Sequence, residues 1–111
     1  MQTDRVIKKT ILEPVGVVLA CLSRDFPVLE TVNSLVPAIL AGNSILLKDH
    51  PGTPVIAPFF EEALQDSAPG LAQKFFVDPS KVQHLYEKKA VNYVVFTGCY
   101  QSALDIYYEL A

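Results

Sequence analysis

The chain has 111 residues, half of them apolar and 19% charged, with a formal net charge of −3. That is one domain's worth of chain, able to bury roughly two-thirds of its unfolded surface, and it is too apolar for a disordered tail. The weak acidic balance excludes the footprint of a nucleic-acid binder. Two cysteines make no disulfide framework, no apolar run is long enough to cross a bilayer, and the polar first ten residues lack the apolar core of a signal peptide. The expectation is a cytoplasmic domain with neither a nucleic-acid nor a membrane partner.

Residues 15–22 (VGVVLACL) form a continuous apolar run, the pattern of a strand buried on both faces of a parallel sheet. From Leu29 the period becomes helical, with Leu29, Val32, Leu35, Val36 and Ile39 on one stripe, a kink expected at Pro37 and a stop at Gly42-Asn43. Residues 44–48 (SILLK) read as a second strand. Thr53-Pro54 reads as an N-cap followed by proline, opening a helix with Val55, Ile56, Phe59, Phe60, Ala63 and Leu64 on its apolar face. Residues 74–77 (KFFV) suggest a third strand, and Asp78-Pro79 repeats the cap signal before a helix to about Lys88. Residues 92–97 (NYVVFT) suggest a fourth strand, and Tyr100–Leu110 a last helix striped by Leu104, Tyr107 and Tyr108. Four strands alternating with four helices predict an α/β fold with a parallel sheet.

In such a fold ligands lie beyond the carboxyl ends of the strands. That singles out Ser23–Pro27, Lys48–Thr53, Asp78-Pro79 and the turn from Gly98. The five glycines make neither G-x-G-x-x-G nor a P-loop, so both phosphate-binding fingerprints are excluded. Lys48 reads either as a cation for a phosphate or ribose, or as a solvated lysine at a strand end. Gly98 opens either an anion seat at a helix N-terminus or an ordinary strand-to-helix turn. Cys21 is expected as an inert core thiol. Cys99 precedes a helix, which can lower a thiol pKa, but no histidine lies near it in sequence to act as a base, so a buried or idle thiol is expected. His50 and His84 are read as surface or loop residues, no metal site is expected, and Glu61-Glu62 is read as a solvated helix face.

Taken together, residues 13–54, together with Phe96-Thr97-Gly98, resemble the cofactor-binding domain of the aldehyde dehydrogenase superfamily. Its pattern runs E-P-x-G-V-V, P-W-N-[FY]-P, P-A-L-x-A-G-N-x-x-[VL]-x-K, x-T-P and then F-T-G-S. The KDHPGTP segment is nearest to the succinate-semialdehyde-type branch. The resemblance implies a Rossmann-like domain that binds NAD or NADP without a glycine fingerprint. It implies that Lys48 reaches the adenosine ribose or its 2′-phosphate, that Leu22 offers main-chain contacts, and that Phe26 and Pro27 wall the substrate side. It further implies that Thr97, Gly98 and Cys99 lie at the nicotinamide and pyrophosphate end.

The departures point away from catalysis. The family's P-W-N is Ser23-Arg24-Asp25 here, so a carboxylate stands where the family's asparagine donates to the oxyanion of the reacting aldehyde. Cys99 replaces the serine of F-T-G-S, Ala103 a glycine, and Pro51 the acid that partners the ribose. Neither cysteine aligns with the family's nucleophile, and no E-L-G-G segment with its general-base glutamate is present. The leading expectation is a single partial domain over residues 1–111, truncated or decayed, with an oxidoreductase ancestry and no catalysis of its own. The alternatives are an NAD(P)-binding module or half of a split enzyme, and an interaction module that oligomerises or binds a full-length paralogue through an exposed sheet edge or the last helix.

Overall fold

The computed structural model describes residues 6–77 and 81–110, the last two by backbone alone. The predicted alternation is present: β1 (Val17–Cys21), α1 (Pro27–Leu40), β2 (Ser44–Lys48), α2 (Ile56–Gln65), β3 (Ala72–Lys74), α3 (Val82–Glu87), β4 (Tyr93–Phe96) and α4 (Tyr100–Leu110). The strands form one parallel sheet in the order β3-β2-β1-β4. The chain steps outward from β1 through β2 to β3, then returns to place β4 on the other side of β1. The gap between β1 and β4 is therefore the topological switch point of the sheet.

The continuous apolar reading of β1 is explained by its central position. Val18, Ala20 and Leu22 join Ile45, Leu47, Leu35, Ala38 and Ala57 in a core on one face, under α1 and α2. Leu19 and Cys21 join Val82 and Val91 on the other face, under α3. No helix among the described residues is long and apolar enough to cross a membrane.

Two asparagines hold the entry to β1. Asn43 Oδ1 accepts the Gly16 amide at 2.9 Å, and Asn92 Oδ1 accepts the Val17 amide at 2.9 Å. Gly16 has φ +115°, and a Cβ there would run into the Asn92 carboxamide, so glycine is required on both counts.

Several boundaries differ from expectation. β3 is Ala72–Lys74, not 74–77, because its register is set by β2: Ile45 N–H donates to Leu71 O and Phe75 N–H to Leu47 O. Phe75 and Val77 pack beneath the sheet after the strand has ended, and Phe76 is exposed. The expected cap at Asp78-Pro79 lies outside the described residues. The α1 helix begins at Pro27, two residues early, and runs through Pro37 to Leu40.

The α2 helix is not capped by Thr53. The Thr53 amide closes a turn onto His50 O, its Oγ1 is buried without a partner, and the helix starts after Val55. The cap comes instead from Asp49, whose two carboxylate oxygens each lie 3.0 Å from the Ala57 nitrogen. The apolar stripes are rotated as well. Thr31, Leu35 and Ala38 bury from α1 and Ala57 from α2, whereas Val55 and Phe59 are each 66% exposed and Tyr107 and Tyr108 of α4 face solvent. Glu61 is not simply solvated: Oε1 accepts the Lys74 amide at 3.2 Å and Oε2 lies 3.5 Å from Lys74 Nζ, tying α2 to β3.

Candidate functional site

The sheet register brings the strand ends into one row. Cys21 pairs with Lys48 on β2 and with Phe96 on β4. The loops that leave this row, after β1, β2 and β4, line one cleft of about 670 Å³, within the usual size of a small-molecule site. Leu22, Asp25, Lys48, Thr97, Gly98 and Cys99 all lie on it, although they span 78 positions of sequence. Pro51 and Phe26 line it too, and α3 and α4 add Val82, Ser102, Asp105 and Ile106.

The main-chain amides of Leu22, expected to contact the ligand, and of Thr97 are both spent on the sheet. The Leu22 amide donates to Lys48 O and the Thr97 amide to Cys21 O, each at 3.0 Å. What Leu22 and Thr97 offer a ligand is therefore their carbonyls and, for Thr97, an exposed hydroxyl. Lys48 is half-buried at the mouth of β2. Gly98 lies against the Phe96 ring, where an added Cβ would come within 2.7 Å of Cζ. A side chain at this position would therefore displace that ring.

The β1–α1 loop is fixed by Glu30. Its carboxylate accepts the Ser23 amide at 2.8 Å and the Ser23 hydroxyl at 2.6 Å, and Ser23 Oγ in turn accepts the Asp25 amide at 3.3 Å. Asp25 and Arg24 are thereby held at the rim. His50 Nδ1 accepts the Gly52 amide at 2.9 Å, so its loop is ordered and turned into the cleft wall.

The two thiols divide sharply. Cys21 is buried, and desolvation pushes its pKa up despite the charge of Lys48. Cys99 is exposed, so of the two expectations, buried or idle, the buried one is corrected. The Ser102 hydroxyl, 3.1 Å from Sγ, with the Ser102 and Gln101 amides, holds it below the ordinary thiol range. The thiol thus occupies part of the α4 N-terminus that would otherwise face an anion. His84 is exposed on α3, away from the cleft, and no cluster of metal-ligating side chains occurs among the described residues.

Arg24, Glu30 and His50 belong to the site although no motif of the sequence marks them as site residues. The spacing of Ser23 and Glu30, seven residues apart across a loop and a helix start, carried the only local signal. The wall formed by Arg24 and His50 needs the sheet register to exist.

A profile described as the aldehyde dehydrogenase family matches residues 1–111. A 3-sulfolactaldehyde dehydrogenase of Priestia aryabhattai is 34% identical over 92 residues, covering 80% of this chain and 19% of its own length. A D-glyceraldehyde dehydrogenase (NADP(+)) of Picrophilus torridus is 28% identical over 88 residues, 77% of this chain and 18% of its own. A solved succinic semialdehyde dehydrogenase from Streptococcus pyogenes superposes with a TM-score of 0.82 at 26% identity, over 88% of this chain and 22% of that one. The chain spans about a fifth of the length of each protein it matches.

Proposed function

Because the chain belongs to the aldehyde dehydrogenase family, we propose that the cleft beyond β1, β2 and β4 is a seat for NAD or NADP, and that these 111 residues bind the nucleotide without oxidising aldehydes by themselves. The observation that carries the reading is the convergence of Lys48, Thr97 and Gly98 on one cleft at the switch point of a parallel sheet. The solved Streptococcus pyogenes relative is a complex with NADP+ as the cofactor, which supports the same assignment here.

Lys48 would meet the adenosine ribose, the turn at Gly98 the pyrophosphate, and the Leu22 and Thr97 carbonyls the nicotinamide end. The cofactor, when bound, supplies a hydride acceptor. In the family reaction an aldehyde becomes a carboxylic acid. This chain's residues are poorly disposed to that step. Asp25 offers an acceptor where an oxyanion needs a donor, and losing one such donor typically costs roughly 10²–10³ in rate. Cys99 has Ser102 as its side-chain partner rather than a base. In this reading the chain is a cofactor-binding unit that kept its seat while the chemistry decayed.

Calorimetric titration of NAD and NADP tests it. The expected affinity is about millimolar, near −4 kcal/mol, and is lost in Lys48→Ala. Micromolar binding that ignores Lys48→Ala would mean another site is in use. Mixing the chain with aldehydes and NAD or NADP should form no reduced nicotinamide; turnover abolished by Cys99→Ala would make that thiol a nucleophile.

A second reading, association with a second copy or a paralogue, is favoured by one observation. Leu29, Val32, Val36 and Leu40 lie exposed along the outer side of α1. Concentration-dependent sedimentation, abolished by Val36→Lys, is its expected signature.

A further inference from the structure

We propose that β4 pairs along its outer edge with β4 of a second copy of the chain, antiparallel about a two-fold axis at Val95, so that two four-stranded sheets become one. The pairing is independent of the nucleotide reading and uses a surface other than the outer side of α1. β4 ends the sheet on one side and β3 on the other. The Thr97 amide donates to Cys21 O, so strand alternation turns the Val95 amide toward β1 as well. The amides and carbonyls of Val94 and Phe96 then face outward, and among the described residues neither amide finds a partner.

The two edges of the sheet are not alike. On β3 the Phe75 amide donates to Leu47 O, which turns the Lys74 amide outward, and there Glu61 Oε1 accepts it at 3.2 Å. Glu61 Oε2 also meets Lys74 Nζ at 3.5 Å, so this edge carries a capped amide and a charged pair. The β4 edge has neither guard. Residues 92–97 (NYVVFT) hold no charge, proline or glycine and are rich in β-branched and aromatic side chains, the composition of a segment that pairs with its own kind. An open row of backbone groups is met by an extended strand. β1 and β2 are enclosed and β3 is guarded, so the strand this sheet can offer is β4 of another copy.

An axis at Val95 suits both faces. Val94 and Phe96 pack on the α3 side and Val95 on the α1 side. Val94 comes opposite the partner's Phe96, exchanging both main-chain bonds in a β-branched–aromatic pair. Val95 meets the partner's Val95 at a position without hydrogen bonds, with Cα atoms about 4.5 Å apart. Tyr93, 55% exposed, comes opposite the partner's Thr97. The guarded β3 edges stop further growth, so the product is a closed dimer.

Sedimentation of the whole chain tests this. A small interface implies a monomer at about 1 µM and a dimer at about 200 µM. Tyr93→Lys, on an exposed side chain, should raise the dissociation constant at least about tenfold, while Val36→Lys leaves it unchanged. The register is read separately in a Cys99→Ser background. Val95→Cys, which keeps a small apolar side chain, should give a disulfide-linked dimer with oxidised glutathione, and Tyr93→Cys should not. A chain still monomeric at about 200 µM overturns the proposal. Association lost in Val36→Lys but not in Tyr93→Lys overturns it in favour of the α1 face. Equal cross-linking through positions 93 and 95, or assemblies larger than a dimer, overturn the two-fold pairing.

Discussion

Glu30, in the first turn of α1, accepts both hydrogen bonds that Ser23 has to give, one from its amide at 2.8 Å and one from its hydroxyl at 2.6 Å. Ser23 itself is buried. The pair fastens the loop after β1 to the helix that follows, and everything that loop brings to the cleft, Arg24 and Asp25 included, depends on it.

Glu30→Ala is therefore expected to lower stability by about 1–3 kcal/mol, because it strands the Ser23 amide without its acceptor. Glu30→Gln keeps an acceptor and should lose less. Urea midpoints of the three proteins measure the difference. Equal losses in the two variants would show that the charge, not the hydrogen bonds, holds the loop.

Gly16→Ala should cost about 1–3 kcal/mol, since it combines a φ of +115° with a clash against Asn92. Asn92→Ala clears the clash but also leaves the Val17 amide without its acceptor, so the double variant should lose less than the two single losses added together, while the backbone strain remains. Thermal unfolding of the two single variants and the double variant checks it, and a neutral Gly16→Ala would mean the β1 entry can be rebuilt.

Asp49 links stability to pH. Burial raises its folded-state pKa, opposed by hydrogen bonds from the Ala57 and Ile56 amides and by the charge of Lys48. The folded state thus binds the proton more tightly than the unfolded chain does. Its contribution is full below the unfolded carboxylate pKa of about 3.9 and declines as pH rises through the folded value. Asp49→Asn keeps an acceptor for Ala57 and should remove this dependence, gaining on the wild type as pH rises from 4 towards neutrality (about 7). Asp49→Ala should fall about 1 kcal/mol below Asp49→Asn at every pH. Urea titrations at the two ends of that range measure both.

The two thiols should separate in alkylation. Cys99 is exposed with a lowered pKa, and Cys21 is buried with a raised one. Iodoacetamide near neutral pH is expected to modify Cys99 first, leaving Cys21 until the chain unfolds. Ser102→Ala removes the leading cause of the lowered pKa and should shift the alkylation profile of Cys99 to higher pH. Mass spectrometry of the modified peptides reads the result, and equal labelling of the two thiols in the folded chain would contradict it.

The sequence alone determined the alternation of strands and helices, because buried parallel strands need uninterrupted apolar runs and the intervening helices need a different period. It also determined the family, since several spaced motifs stand in one order. Residues fixed by local chemistry, such as Lys48 at the end of SILLK and Gly98 after a strand, were legible for the same reason.

What only the tertiary structure decided was which ends meet and which side chains are spent. β3 moved because hydrogen bonds to β2, not the apolar pair Phe75-Phe76, set its register. Thr53 lost the α2 cap because the helix starts at Ile56, with Val55 rather than Thr53 at its cap position, so Thr53 Oγ1 is left without a partner and Asp49 reaches across to the Ala57 amide. The wall of Arg24 and His50 exists because β1 and β2 are adjacent strands in a register that pairs Cys21 with Lys48. Such relations lie between residues far apart in the chain, and no local pattern of charge or apolarity encodes them.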